Sequence, residues 1–416
     1  MTTRRDAAGR RRPVRVCASL VGLLLVLVAL PGCRLRARLG VPTTVETVHG
    51  TCDTSAVVEV GASLPLSGPR AAVGRAQLTG LELGVEHVND SGGVMSSHRC
   101  LELMDKDDRS DPAVDNQAFL DLVNQERVSL AIGPFLALDD RSARLGSLGV
   151  TAMSFSSVDA TFEPRSYPYT FPVGSSASVE AAVLATYVKR HHWRRITAVR
   201  SDSVTSLQGV DDFITATRGR GIEVNSPSIF VDTQATASSV LATVRSTRSQ
   251  GLVVFDDGST LGPLLAVRHA TGSSIPVIAS TEAVLPELPT SELTGVDVVE
   301  AGSLEVTRST PSNLASFRVR VLRALHQHQL RGALTPYAQG YDCVTMFAGA
   351  VNGVNADDPG SLRTYLENAN YQGLLGSYNF TSGAHTGLDV SQETLIPLDS
   401  LSNGVFVRRL RTDAIP

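Results

Sequence analysis

Residues 57–93, VVEVGASLPLSGPRAAVGRAQLTGLELGVEHVNDSGG, constrain this chain more than any other stretch. Val57, Val58 and Val60 form a β-branched run suited to a buried parallel strand, and the segment from Leu64 to Pro69 continues neither strand nor helix. From Ala71 onward the apolar residues Leu78, Leu81, Val85 and Val88 recur at helical spacing. Asn89-Asp90-Ser91-Gly92-Gly93 then tolerates the left-handed dihedrals that stop a helix. Strand, loop and helix in that order put the loop at the strand's carboxyl end, where open α/β sheets hold ligands. Taken alone, the same unit also occurs in many folds that bind nothing there.

The rest of the chain repeats the pattern. Leu101-Glu-Leu-Met104 reads as a second strand, followed by a charged loop from Asp105 to Pro112 and a helix from Asp111-Pro112 to about Gln125. Residues 128–132 and 150–153 give a third and a fourth strand, the latter ending in Ser154-Phe155-Ser156-Ser157. Successive βα units imply an α/β fold with a parallel sheet and right-handed crossovers. After residues 169–173 a second series begins, with strands at 196–199, 229–231, 252–255 and 276–279 alternating with helices at 179–190, 207–217, 240–248 and 261–270. Helices at about 312–329, 335–351 and 361–368 read as returning to the first domain. Short strands at 378–380, 394–396 and 405–407 read as completing the second.

The amino terminus belongs to neither series. Six arginines precede the apolar run from Leu20 to Leu30, which is the layout of an export signal and too short to span a bilayer comfortably. Leu30-Pro31-Gly32-Cys33 resembles a bacterial lipobox, which implies cleavage before Cys33 and a lipid on its sulfur; a secreted form or an uncleaved anchor are the alternatives. Residues 34–55 lack a sustained period and read as a tether. Removing the six Arg and one Asp of residues 1–32 takes the formal charge from −4 to −9, which argues against a nucleic-acid partner. Cys52 precedes the first strand and Cys100 opens the second. Adjacent strands of a doubly wound sheet start at the same edge, so these two sulfurs are expected to form a disulfide, the alternative being two unrelated thiols. Cys343 reads as a small buried hydrophobe.

Catalytic patterns are missing: the sequence has no G-x-S-x-G elbow, P-loop, H-E-x-x-H or paired C-x-x-C. His191-His192 and His326-x-His328 lack partners at metal-ligand spacing, and the acidic loop 105–111 lacks calcium-loop spacing and contains Lys106 and Arg109. No catalytic residue, metal or cofactor is therefore expected.

An ordered series of motifs is more specific. Residues 58–69, Gly74, Gly80-Leu-Glu-Leu, Val88-Asn89, Gly92-Gly93-Val94, Asp107-Asp108-Arg-Ser-Asp-Pro112 and Ile132-Gly133-Pro134 resemble the leucine/isoleucine/valine-binding protein family. Tyr337-Ala-x-x-Gly340-Tyr341-Asp342 and Gly373-Leu-Leu-Gly376 are similar to its carboxyl-terminal signatures, so the resemblance covers about residues 57–410. It implies the type I periplasmic binding fold: two Rossmann-like lobes with parallel sheets, joined by a three-crossover hinge near Phe171, Ala301 and Leu374. On that reading residues 1–32 are the signal peptide and 33–55 the lipid-anchored tether. Residues 56–171 and 301–374 form lobe 1, and 172–300 and 375–416 form lobe 2. The implied function is an extracytoplasmic solute-binding protein, anchored to the outer face of the membrane, that hands a small polar ligand to the permease subunits of an ABC importer. A ligand-sensing receptor of the same fold, acting through a partner protein, is the alternative.

The resemblance also implies ligand contacts. Ala137, after Leu136, stands where relatives have a carboxylate-binding serine, and Ser156-Ser157-Val158 stands where they have an Ala-Ala-Thr run. Val73, Ser206 and Gly258 stand where relatives place aromatics. Glu282 matches the acidic residue that pairs with a substrate ammonium; an exposed Glu at a helix start is the plain alternative. Asp256 and Asp257 read as a second cation-facing pair.

Overall fold

A computed structural model describes residues 41–133, 150–159, 163–231, 233–256, 259–281, 293–301, 303, 334–397, 401–402 and 405–406. The expected export signal, Cys33 and the helix at 312–329 lie outside them. The chain opens with β1 (Thr43–Val45), β2 (Asp53–Leu64) and α1 (Ala71–Asp90). β3 (Arg99–Asp107) and α2 (Pro112–Asp121) follow, and α2 widens into a π-helical turn at Leu122–Glu126. β4 (Leu130–Ile132), β5 (Thr151–Ser154) and β6 (Thr170–Pro172) complete a six-stranded sheet in the order β1-β3-β2-β4-β5-β6. Every pairing in it is parallel except that of β1, which runs antiparallel to β3.

The second series contains α3 (Ala177–Arg190), β7 (Arg195–Arg200), α4 (Val204–Thr217), β8 (Glu223–Phe230) and α5 (Gln234–Thr247). It continues with β9 (Leu252–Phe255), α6 (Leu261–Ala270), β10 (Val277–Ala279) and β11 (Val296–Ala301). After α7 (Thr335–Val354) and α8 (Pro359–Leu366) come a hairpin of β12 (Asn370–Gln372) and β13 (Ser377–Asn379), then β14 (Glu393–Pro397) and a last small pair, β15 (Leu401–Ser402) and β16 (Val405–Phe406). β14 joins the second sheet antiparallel to β11, giving the order β14-β11-β10-β9-β7-β8.

Val58 and Val60, on one face of β2, are fully buried, and from Val60 to Leu64 every residue is buried, so that stretch is covered on both faces. Asp111 starts α2 by accepting hydrogen bonds from the amides of Ala113 and Val114, with Pro112 in the first turn. α1 and α7 pack so closely that a Cβ on Gly80 would sit 2.0 Å from the Tyr337 carbonyl oxygen. Cys52 and Cys100 are joined by a disulfide, with Cα atoms 5.1 Å apart. Cys343 is a free, buried thiol whose Sγ donates to Met153 Sδ at 3.4 Å, and burial pushes its pKa up.

The tether reading needs correction over part of its length. Thr43–Val45 is an edge strand of the first sheet, and β2 begins at Asp53. Three β-branched or hydroxyl residues are too short a run to carry a period, and only the exposed edge of β3 makes them a strand. Among the described residues no helix is long and apolar enough to cross a membrane.

Candidate functional site

Where the chain passes between the two sheets, polar side chains stitch the passages together. In the first passage, between β6 and α3, the Val173 carbonyl accepts from Gln339 Nε2 at 3.2 Å, and Gln339 Oε1 accepts from Gln77 Nε2 at 3.2 Å. Ser303, just past β11, places its Oγ 2.6 and 2.7 Å from the carbonyl oxygens of Leu374 and Leu375, and so ties the second passage to the third. Asp342 on α7 holds that third passage, accepting from the amides of Leu374 at 2.6 Å and Leu375 at 2.9 Å.

A cavity of about 10 Å³ lies where these passages meet. Phe155 and Ser157 reach it from the loop after β5 in the first sheet, and Thr281 from the end of β10 in the second. Two carboxyl groups also line it, Glu180 on α3 and Glu393 on β14. The loop after β5 bonds directly to the helices of the second series. The Ser157 carbonyl accepts from Ala177 N at 2.8 Å, Asp159 Oδ1 from Ser178 N at 3.3 Å, and Asp159 N donates to Gln208 Oε1 at 3.2 Å.

The electrostatics are unusual for a protein interior. Glu180 is 4% exposed; its carboxyl accepts from Ser175 Oγ at 3.2 Å and from Thr281 N at 3.3 Å. Burial, and then the negative charge of Glu393, raises its pKa to about 8. Burial and the nearby Glu300 raise Glu393 to about 8 as well. Glu300 on β11, fully buried behind the cavity, accepts from the Thr335 hydroxyl at the start of α7, and burial lifts it to about 8. Glu393 Oε2 and Glu300 Oε1 have no hydrogen-bond partner among the described residues. At neutral pH these carboxyls therefore hold protons unless a cation joins them.

Of the residues expected to bind ligand, Ser157 lines the cavity. Ser156 and Val158 flank it in the same buried loop, where Ser156 Oγ accepts from Val158 N at 3.3 Å. Val73 is packed into the apolar core around β2, 2% exposed. Ser206 is buried at the start of α4 in a knot of hydroxyls, with its Oγ 2.8 Å from Ser201 Oγ and 2.9 Å from Ser203 Oγ. Leu136, Ala137, Gly258 and Glu282 lie outside the described residues, although Thr281, next to Glu282, is at the cavity wall.

Asp256 does not present a free charge, as the sequence reading expected. Its carboxylate accepts from the amides of Ser259, Thr260 and Leu261 and so caps the start of α6. Sequence reasoning missed Glu180, Glu300 and Glu393. The available signal was charge on buried faces: Glu180 shares the core-facing stripe of α3 with Ala181, Leu184 and Val188. Among the described residues no group of three or more His, Cys, Asp or Glu is arranged to hold a metal ion.

No curated protein matches by sequence. The family described as periplasmic binding protein matches residues 57–390. Among solved structures, the branched-chain amino acid transporter substrate-binding protein LivJ from Streptococcus pneumoniae, in complex with isoleucine, is 18% identical with a TM-score of 0.69, covering 84% of this chain and 97% of its own. The leucine binding protein LivK from Thermotoga maritima is 17% identical with a TM-score of 0.67, covering 83% and 100%. A solute binding protein of an ABC transporter from Rhodopseudomonas palustris, in complex with 3,4-dihydroxybenzoic acid, is 14% identical with a TM-score of 0.66, covering 82% and 93%. These likenesses establish the type I periplasmic binding fold, and with a family match that spans most of its length the chain belongs to the periplasmic binding protein family.

Proposed function

We propose that this protein is the extracytoplasmic solute-binding subunit of an ABC importer and that it traps a small polar ligand between two lobes without chemical conversion. The observation that carries the reading is the cavity at the meeting of the three passages, with walls from the first sheet, the second sheet and α7. A ligand held between the lobes with one polar group at this cavity touches both halves, so it binds the closed form better than the open one, and that difference in affinity is what drives closure. The lobes of this proposal are residues 56–171 with 301–374, and 172–300 with 375–416. Export by the amino-terminal signal and lipid attachment at Cys33 would hold the protein beside its permease on the outer face of the membrane. The isoleucine and dihydroxybenzoate complexes of proteins sharing this fold support a small polar ligand and leave its class open between amino acids, amides and other metabolites.

The test is a calorimetric panel of amino acids, amides and aromatic acids, with X-ray scattering on each binder. A ligand that binds and reduces the radius of gyration is expected. Loss of its uptake on deletion of the permease supports the importer, whereas unchanged uptake points to the sensor role. A panel without any binder that compacts the protein overturns the reading.

A further inference from the structure

We propose that the far pole of the second sheet, where its parallel strands begin, is a docking surface for the anionic phospholipids of a bilayer. The proposal goes beyond the solute-binding reading and does not depend on what the cleft holds.

At this pole β7, β8 and β9 start and α3, α4 and α5 end. Lys189 and Arg190 close α3, Arg194 and Arg195 lead into β7, Arg218 and Arg220 follow α4, and Arg245 and Arg248 end α5; all eight are exposed. The three turns form one surface because they hold each other. Gln250 Oε1 accepts from the Arg195 amide at 3.1 Å, and the Arg194 carbonyl accepts from Glu223 N at 2.8 Å. Trp193 lies on Gly251 so closely that a Cβ there would sit 2.3 Å from its ring. Glu223 is the single carboxylate in these turns, and among the described residues none of the eight cations forms an ion pair.

The helix dipole accounts for part of this, since Lys189, Arg190 and Arg245 occupy last turns, where cations offset the negative helix end. It does not account for Arg194, Arg195 and Arg220, which lie beyond the helices. Without residues 1–32 the chain has a formal charge of −9, so an anionic surface repels the rest of the molecule and attracts this pole, which fixes the orientation of approach.

Two features select a bilayer among polyanions. Seven of the eight cations are arginine, whose planar fork takes a phosphate through two hydrogen bonds. Trp193, the chain's one tryptophan, is half-buried in their midst, 5.8 Å from Tyr187 between ring centroids. Such rings settle where headgroups meet acyl chains, a boundary that a soluble polymer of phosphates lacks. The cavity lies at the other end of the same sheet, past the carboxyl end of β10, so a chain docked by this pole holds its cleft off the lipid.

The test uses residues 34–416, which keep every described element and carry no acyl group. They are sedimented with phosphatidylcholine vesicles that contain or lack phosphatidylglycerol. Each cation that reaches an anionic surface is worth about 5-fold in partitioning, so binding to the anionic vesicles should exceed binding to the neutral ones by about 10-fold or more. It should vanish when the ionic strength is raised from about 0.15 M to about 1 M. Arg218→Glu with Arg220→Glu should weaken it by about 10-fold or more, and Arg194→Glu with Arg195→Glu gives the same result should the first pair not fold. Arg127→Glu with Arg165→Glu changes the net charge equally at exposed residues beside the first sheet and should leave binding within about 3-fold. Brominated lipid in the anionic vesicles should quench the fluorescence of Trp193, which reports contact through this pole. Equal binding to both vesicles, binding unmoved by either pole reversal, an equal loss in the control pair, or an unquenched Trp193 overturns the proposal. Binding to soluble polyglycerol phosphate in place of vesicles also overturns it and assigns the pole to a soluble polyanion. None of the substituted residues lines the cavity, so each of these failures leaves the solute-binding reading intact.

Discussion

At the residue scale, Asp342 shows how one carboxylate holds two distant motifs together. It is fully buried on α7, accepts from the amides of Leu374 and Leu375, and lies 3.3 Å from the Tyr378 hydroxyl. Gly373 must lack a side chain, because a Cβ there would sit 2.4 Å from Asp342 Oδ2. The pairing of Tyr341-Asp342 with Gly373-Leu-Leu-Gly376 thus has a physical cause. Burial raises the Asp342 pKa to about 7, against the three hydrogen bonds that lower it. Asp342→Ala leaves two buried amides unpaired, and the expected loss is about 3 kcal/mol of stability, read from the urea unfolding midpoint; a midpoint within error of the parent protein would show that the third passage holds without this anchor. What was legible at this scale was chemistry tied to local pattern, such as Asp111 at a helix start. Glu180 and Glu393 were not legible, because it takes the tertiary fold to bring a helix and a late strand into one cavity. Asp256 misled for the related reason that a carboxylate at a strand's carboxyl end serves equally well as a helix cap.

At the scale of elements, α1 and α7 approach through Gly80 and Gly340. A Cβ on Gly340 would lie 2.3 Å from the Gln77 carbonyl oxygen and 2.6 Å from Leu81 N, and one on Gly80 would meet the Tyr337 carbonyl. These are backbone atoms, which cannot swing aside. Gly80→Ala or Gly340→Ala forces the helices apart and is expected to cost about 2 kcal/mol each. Because either change alone already opens the crossing, the double variant should lose less than the sum; full additivity in a denaturant double-mutant cycle would contradict a shared contact. Strands and helices with a strong period were readable from the sequence, while their ends were set by neighbours. β8 is the clearest case. It reads as residues 229–231 but spans Glu223–Phe230, with Pro227 inside it. The proline is tolerated because β8 is an edge strand, and its register with β7 shifts between the Thr197–Asn225 and Val199–Ile229 pairs.

For the whole molecule, the acidic seam makes stability depend on pH in a direction opposite to that of most salt-bridged proteins. Glu180, Glu300 and Glu393 come from three elements, and each is held near a pKa of about 8. In the unfolded chain they titrate near the ordinary glutamate value of about 4.3. Between those values the native state binds more protons than the unfolded state, so the stability these groups confer is complete at the acid end and is lost as pH rises toward about 8. Glu82 and Asp108, raised to about 8 mainly by burial, and Asp105, raised to about 6 by the same cause, add slopes of the same sign. The melting temperature of the ligand-free protein should therefore fall from pH 5 to pH 8. Glu300→Gln isolates one contribution, since the amide keeps the bond from Thr335 and cannot ionise. It should flatten the slope and be more stable than the parent at pH 8 by on the order of 2 kcal/mol, while differing little at pH 5. A melting profile flat across this range, or a Glu300→Gln variant no more stable than the parent at pH 8, would mean that water already solvates these carboxyls and that the seam stores no proton-linked energy for a ligand to release.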